Sequence, residues 1–396
     1  MSLIADTATL AALCARLANE PYVCVDTEFM RDSSYWPYLC LVQICGPDAQ
    51  AAAIDTLAPG LSLEPLFALL RRPSVLKVFH AARQDLEALH HLNGEVPASL
   101  FDTQIVAMVC GFGEAASYET LARKLAKAHI DKSSRFTDWS RRPLSDRQLS
   151  YALSDVAHMP AIYAALSKRL ERTGRGEWLV EEMKVLTDPA TYAPSAADAW
   201  RRIKTRNTSP RFLAALRELA ATRERFAQDR NVPRNRVLRD DALVEIAQRM
   251  PETTADLADL RALPKGLGGG GLGAALIDAV RRARASTPAD HPLIDLPPPL
   301  PAGLGPLVDL LKVLLKMRCE QNEVAVKLVA SAADLELIAA DDHAPVAALS
   351  GWRREIFGAD ALKLKRGEIA LSARGGHIAL IEIEPEPVSA RSGLTG

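Results

Sequence analysis

The segment YVCVDTEF at residues 22–29 joins two demands that a chain can meet together in few ways. Tyr22 to Val25 is a β-branched and aromatic run of the kind that forms a buried strand. Side chains on a strand alternate with a period of two, so Asp26 and Glu28 emerge on the same face. Two neighbouring carboxylates on one face repel and lose stability unless a cation sits between them. A strand end open to water, with both charges hydrated, would satisfy the pair equally well. The chain must therefore build a sheet in which this strand ends at solvent or at a cation site.

Two further stretches carry the same kind of group. Val75 to Phe79 reads as an apolar strand that runs through His80 into a helical pattern from Ala82. There Asp85, Leu86, Leu89 and Leu92 set an acid beside an apolar stripe. Taken singly, Asp85 is an ordinary partner for a helix dipole, and His80 an ordinary hydrogen-bonding group at a strand end. In the third stretch, residues 145–169 read as helix with Ser145 as its cap. Tyr151 and Asp155 are four apart and so share a face. An exposed hydrogen-bonded pair is the common reason for that spacing. The other is chemical: a carboxylate holds a metal while a phenol, with a reference pKa near ~10, orients a water rather than deprotonating it. Four carboxylates and one phenol together match the ligand set of a phosphodiester-cleaving site built on two divalent ions roughly 4 Å apart. Hard oxygen ligands suit Mg²⁺ or Mn²⁺.

The order DTEF, HAARQDLE and YALSDV resembles the three exonuclease motifs of the DEDD superfamily in its tyrosine-bearing subgroup. The histidine subgroup would place His where Ser150 stands. Within the superfamily, DTEFMRDSSYWPYLCLVQI, FDTQIVA and DKSSRFTDWSRRPLSDRQLSYALSDV look like bacterial ribonuclease D sequences, and the likeness covers nearly the whole chain. The resemblance implies that Asp26, Glu28 and Asp155 ligate one ion, that Asp26 also bridges to a second, and that Asp85 holds the second. It implies that Tyr151 positions the water that attacks the last phosphodiester. Thr27, Phe29, Met30, His80 and Gln84 fall at substrate-side positions. Phe29 and Met30 could wedge against terminal bases, a contact worth about 1–3 kcal/mol per base. Core packing is the alternative for both. His80, Gln84, Asp102 and Trp139 match family positions, and each is compatible with a structural role.

With 396 residues the chain exceeds one ordinary core and should divide into two or three domains. No apolar run reaches membrane-spanning length, and MSLIADTATL lacks the basic-then-apolar pattern of a signal peptide. Six cysteines (14, 24, 40, 45, 110 and 319) lie scattered in mostly apolar contexts, as reduced core residues of a cytoplasmic protein would. The net charge of −1 hides an asymmetry: residues 201–239 carry twelve Lys or Arg against Glu218, Glu224 and Asp229. Phe212, Leu213, Leu216, Leu219 and Phe226 in that segment have helical spacing. A solvated helix face is the usual meaning of such a pattern, but one sign this dominant points to a phosphate-tracking surface that includes Arg201, Arg202 and Lys204.

Breaks in pattern suggest the organisation. Residues 1–190 hold strands at 21–28, 38–45, 51–55 and 75–80, then helices, and the resemblance specifies an α/β ribonuclease H-like exonuclease domain with a mixed sheet flanked by helices. TDPATYAPSAADAW reads as a linker. Residues 197–285 resemble an all-α HRDC domain, with the run Gly266–Gly273 as a helix connection because neither a preceding strand nor a following Lys-Ser or Lys-Thr supports a phosphate loop. HPLIDLPPPLPAGLG reads as a proline-stiffened second linker. Residues 300–361, with a helix over Leu307–Val329 and SGWRREIFG at the end, resemble a second HRDC-type unit. Residues 362–396 form a C-terminal extension in which runs at 363–372 and 377–384 flank an Arg-Gly-Gly turn, the signature of a β-hairpin. Its isoleucines fall on both phases, so a bulge shifts the register or both faces are partly covered.

The resemblance implies a metal-dependent 3′→5′ exoribonuclease that trims single-stranded 3′ ends of RNA, tRNA precursors among them, with two Mg²⁺ or Mn²⁺ ions. A single-stranded-DNA exonuclease is the alternative, and a polymerase domain that would favour it is not visible in the sequence. A purely binding protein would not need the intact acid set, and a small-nucleotide hydrolase would not need basic helical modules. No membrane is implied as a partner, and nothing in the sequence demands more than a monomer.

Overall fold

Burial of residues 23–25 on both sides organises the sheet that carries the acids. The computed structural model describes residues 2–131, 137–263, 270–293 and 301–383. They divide into two units: Met1–Asp102, Ala126–Ala161 and Glu182–Leu296 form the first, and Thr103–Leu125, Ile162–Glu181 and Pro297–Gly396 the second.

In the first unit, β1 (Ser2–Ile4), β2 (Tyr22–Met30), β3 (Tyr38–Cys45), β4 (Ala52–Ile54), β5 (Leu76–Phe79) and β6 (Leu100–Asp102) make a six-stranded sheet in the order β1-β4-β3-β2-β5-β6. β2 runs antiparallel to β3 and parallel to β5, so the sheet is mixed. Val23, Cys24 and Val25 are fully buried in succession, which requires cover on both faces. The helices Thr7–Leu17 and Glu64–Arg71 pack together, while Asp146–Ala157 packs on β3 and β2 and Arg83–Asn93 on β2. The short strands β1 and β6 were not expected from sequence; at three residues each they carry too little periodicity to read. All six cysteines are buried and free.

The helix expected over 145–169 is two helices. Ser145 caps Asp146–Ala157 through a capping box with Gln148, and a new helix, Met159–Thr173, begins after His158. Pro160 explains the break, since it has no N–H for the preceding turn and disfavours helical geometry before it.

The expected linker TDPATYAPSAADAW is instead ordered packing. It forms turns of 3-10 helix at Pro189–Thr191 and Ala196–Arg202, buries Tyr192, Ala199 and Trp200, and Tyr192 donates to the Leu186 carbonyl at 2.8 Å. Trp200 enters a core with Phe212, Leu216, Leu219, Leu243, Ile246, Leu276 and Val280 from the helices Pro210–Asp229, Asp240–Arg249 and Gly271–Ala285. Not all of the basic segment is surface. Arg223 is 3% exposed and bonds the Leu238 carbonyl at 3.0 Å and Asp240 at 2.6 Å. Glu224 is fully buried and receives Arg234 at 2.6 and 2.7 Å and the Tyr35 hydroxyl at 2.5 Å. Residues 266–269 of the glycine run and 294–300 of the second linker lie outside the described residues.

In the second unit the helix expected over 307–329 is also interrupted. Gly305–Gln321 ends at Asn322, whose side chain bonds the Arg318 carbonyl at 2.9 Å; Glu323 turns left-handed at φ +51°, and Val326–Val329 resumes. Trp178 and Trp352 stack at 4.3 Å and 7° between planes. The glycine closing SGWRREIFG is required by a close approach, since a Cβ on Gly358 would lie 2.1 Å from the Ala348 carbonyl oxygen. The hairpin is present, but its first run is helical to Lys365 and becomes β7 (Ile369–Arg374) only afterwards, paired with β8 (His377–Glu382). Gly375 and Gly376, at φ +56° and +81°, make the two-residue turn. Pairing is continuous from Ile369↔Glu382 to Arg374↔His377, so no bulge shifts the register and both faces are partly covered. Residues 384–396 lie outside the described residues.

Candidate active site

β2 presents Asp26 and Glu28 as its alternation requires, and the helix Asp146–Ala157 brings Asp155 to them. Ligand oxygens of Asp26, Glu28 and Asp155 all lie within 4.8 Å of one another. Three carboxylates at this separation repel unless positive charge enters. Burial pushes the Asp26 carboxyl up to about 7, opposed by the Thr27 backbone N–H. Gln43 supplies a second sign of an unfilled requirement. It pairs with Asp26 across β2 and β3, which puts both side chains on one face, and its buried amide has no hydrogen-bond partner among the described residues. The donor set is all oxygen, which fits a hard divalent cation.

Asp85 stands apart from this trio. It is 6% exposed in the first turn of Arg83–Asn93, and the Thr27 hydroxyl donates to it at 2.5 Å from the opposite face of β2. Burial raises its carboxyl well above the usual range, and the charge of Asp26 adds to the rise. Thr27 is thus committed to orienting an acid, with its hydroxyl turned into the protein. Asp102, left open by the sequence, accepts the N–H groups of Ala81 at 3.0 Å and Ala82 at 2.8 Å and so holds the turn that launches the Asp85 helix. His80 in that turn is half-buried, and burial lowers its imidazole against the opposing charge of Asp102. Gln84 is exposed.

Tyr151 donates to Asp155 one turn below it. Burial raises the phenol first, and the charges of Asp155, Glu28 and Asp26 raise it further, so it stays protonated at neutral pH. Its ring lies 6.1 Å from that of Trp139, in a cluster with Cys40, Leu41, Ala53, Leu144 and Ala152. Met30 joins the same cluster, and Phe29 is half-buried. Pairing slips after Glu28, where Glu28 opposes Leu41 and Phe29 opposes Leu39. A bulge of this kind bends the strand and re-aims the side chains beyond it, and nothing in the residue pattern announced it. Arg142 closes the floor, bonding Asp55 at 2.6 Å and the carbonyls of Cys40 and Trp139 at 2.7 Å.

The basic residues expected to meet phosphate are placed differently from one another. Arg201 pairs with Asp198 at 3.2 Å and lies over the Trp200 ring, Arg202 comes within 3.6 Å of Glu224, and Lys204 is exposed.

Residues 1–171 match the 3′-5′ exonuclease family model and residues 212–268 the HRDC domain. The chain is 50% identical to ribonuclease D of Nitrobacter hamburgensis over 96% of its own length and 100% of that protein's. The chain belongs to the ribonuclease D family. It is 51% identical to ribonuclease D of Jannaschia sp. over 96% of its length and 99% of that protein's. Among solved structures, Escherichia coli RNase D, an exoribonuclease involved in structured RNA processing, matches with a TM-score of 0.76 and 29% identity over 92% of this chain and 98% of that one. As a member of this family the chain is a hydrolytic 3′→5′ exoribonuclease with a ribonuclease H-like exonuclease domain. Among the described residues no helix is long and apolar enough to cross a membrane.

If Tyr151 orients the attacking water, Tyr151→Phe should lower kcat by about 10²-fold through misplacement alone. Mn²⁺ affinity, followed by titration calorimetry, should stay unchanged. A fully active variant would remove the role.

Proposed function

We propose that this chain releases nucleoside 5′-monophosphates one at a time from single-stranded RNA 3′ ends, including those of tRNA precursors, with two bound Mg²⁺ or Mn²⁺ ions. The observation that carries the reading is the convergence of Asp26, Glu28 and Asp155 within 4.8 Å, with Tyr151 hydrogen-bonded to Asp155. Asp26, Glu28 and Asp155 would hold one ion, and Asp26 and Asp85 would serve a second. Divalent ions there supply positive charge to the scissile phosphate and make a nearby water more acidic. Tyr151 keeps its proton and aims that water in line with the leaving 3′ oxygen. Phe29 and Met30 meet the terminal bases beside His80 and Gln84, Thr27 acts only through Asp85, and Arg201, Arg202 and Lys204 follow the backbone.

The same reading takes residues 1–190 as the exonuclease domain, 197–285 and 300–361 as HRDC-type modules, and 362–396 as an extension. It makes the enzyme a cytoplasmic monomer. The test is product analysis on a tRNA with a short 3′ extension, with Mg²⁺ or with EDTA. Stepwise shortening with release of 5′-monophosphates, abolished by EDTA, is the expected result. Internal cuts would overturn it, and faster digestion of single-stranded DNA of the same sequence would move the substrate to DNA.

A further inference from the structure

A polar pocket of about 310 Å³ opens in the first unit, and none of Asp26, Glu28, Asp85 and Asp155 lines it. Arg31, Arg83, Arg202 and Arg234 line it with Glu87, Tyr35 and Tyr192. Two of the guanidiniums are spoken for. Arg31 holds Glu87 in a two-pronged pair at 2.6 and 2.7 Å, and Arg234 holds the buried Glu224 at 2.6 and 2.7 Å while lying over the Tyr35 ring at 4.5 Å. Arg202 reaches Glu224 only at 3.6 Å, with its side chain 57% exposed. Arg83 is exposed, stands close enough to Tyr192 to act on its phenol, and has no ion-pair partner among the described residues. Four guanidiniums thus face Glu87 and Glu224; Arg83 is left for an anion from solvent, and Arg202, paired with Glu224 only at 3.6 Å, can turn to it as well.

The chain connects the pocket to the proposed catalytic acids through two elements. Arg31 directly follows β2, three residues beyond Glu28 and past the bulge. Arg83 and Glu87 share one face of the Arg83–Asn93 helix, while Asp85, two positions on, points roughly 200° round from Arg83. The helix therefore carries a carboxylate on one side and an arginine on the other. A fork of N–H donors suits phosphate oxygens.

We propose that this arginine pocket binds a backbone phosphate of the RNA upstream of the scissile one, and so sets how a chain longer than a dinucleotide is held. Arg83 and Arg202 make the contact; Arg31 and Arg234, fixed by their glutamates, shape the walls. The proposal rests on the exoribonuclease reading above.

The experiment compares Arg83→Ala, Arg202→Ala and the double variant with wild type on a dinucleotide and on a single-stranded twelve-nucleotide RNA. Wild-type release of 5′-monophosphates from the long RNA tests the underlying reading independently of the variants. For the long RNA, KM should rise about tenfold per arginine, the factor that ~1.4 kcal/mol represents, with kcat unchanged. The slope of log(1/KM) against log salt should fall by about 0.7 per arginine removed. Dinucleotide kinetics and Tm of Arg83→Ala should not move, and Arg83→Lys should recover part of the KM. An equal effect on the dinucleotide, or an unchanged KM and salt slope on the long RNA, would overturn the proposal. So would relief by these variants of inhibition by added nucleoside 5′-monophosphate in the dinucleotide assay, since that would assign the pocket to a free nucleotide.

Discussion

Asp26→Asn should abolish turnover, lowering kcat by about 10³-fold or more, while the protein remains folded. Asp26 sits where the trio of carboxylates converges and faces Gln43, so neutralising it removes charge that no neighbour replaces. A second readout separates this from general damage. In wild type, burial holds the Asp26 carboxyl at about 7 when no cation is present. A cation must displace that proton, so Mn²⁺ affinity should climb as pH rises toward about 7 and level off above it. In Asp26→Asn that dependence should flatten and affinity should stay low throughout. The folded-state pKa is raised, so the cation-free wild type should also lose stability as pH rises from about 4 to about 7, and the variant, which keeps only the contribution of Asp85, should lose less. Retained turnover, or a variant with the wild-type pH profile of Mn²⁺ binding, would take Asp26 out of the site.

Arg234→Ala should destabilise the first unit by about 3 kcal/mol, the low end of what stripping a partner from a buried charge costs. Glu224 is fully buried, and after the substitution it keeps only the Tyr35 hydroxyl and the longer contact to Arg202. In wild type, burial works to raise Glu224, but the Arg234 and Tyr35 hydrogen bonds outweigh it and leave the carboxyl below its ordinary value. A lowered folded pKa gives stability that is present at neutral pH and lost as pH falls through it. Without Arg234, burial prevails and Glu224 can take up a proton instead. The deficit in Tm should therefore be largest near neutrality and shrink toward pH 4. A deficit independent of pH would mean that Arg234 acts through packing on Tyr35, not through charge.

How much of this was readable in advance depends on the range of the interaction. The strand read at 21–28 and found at Tyr22–Met30, the cap at Ser145 and the two-glycine hairpin turn rest on a β-branched run, a capping box and positive φ, and all three operate within a few residues. Pro160, which splits the long helix, is equally local and was visible in principle. The short strands β1 and β6, and the burial of Arg223 and Glu224 within a segment that looks like a basic surface, belong to another class. Each depends on a partner far along the chain: Ala52–Ile54 for β1, Lys77–Phe79 for β6, and Tyr35 for Glu224.

The site divides along the same line. By itself the sequence determined which groups share a face, because carboxylates two apart on a strand and a tyrosine four before an aspartate on a helix do so in any fold that keeps those elements. Tertiary structure alone decided that Asp155 joins Asp26 and Glu28 while Asp85 lies behind Thr27, that Gln43 faces Asp26 with its amide unmet, and that Arg31, Arg83, Arg202 and Arg234 meet around one pocket. Backbone periodicity sets direction along one element. Distances between elements are set by how buried surfaces fit, and no local pattern encodes that.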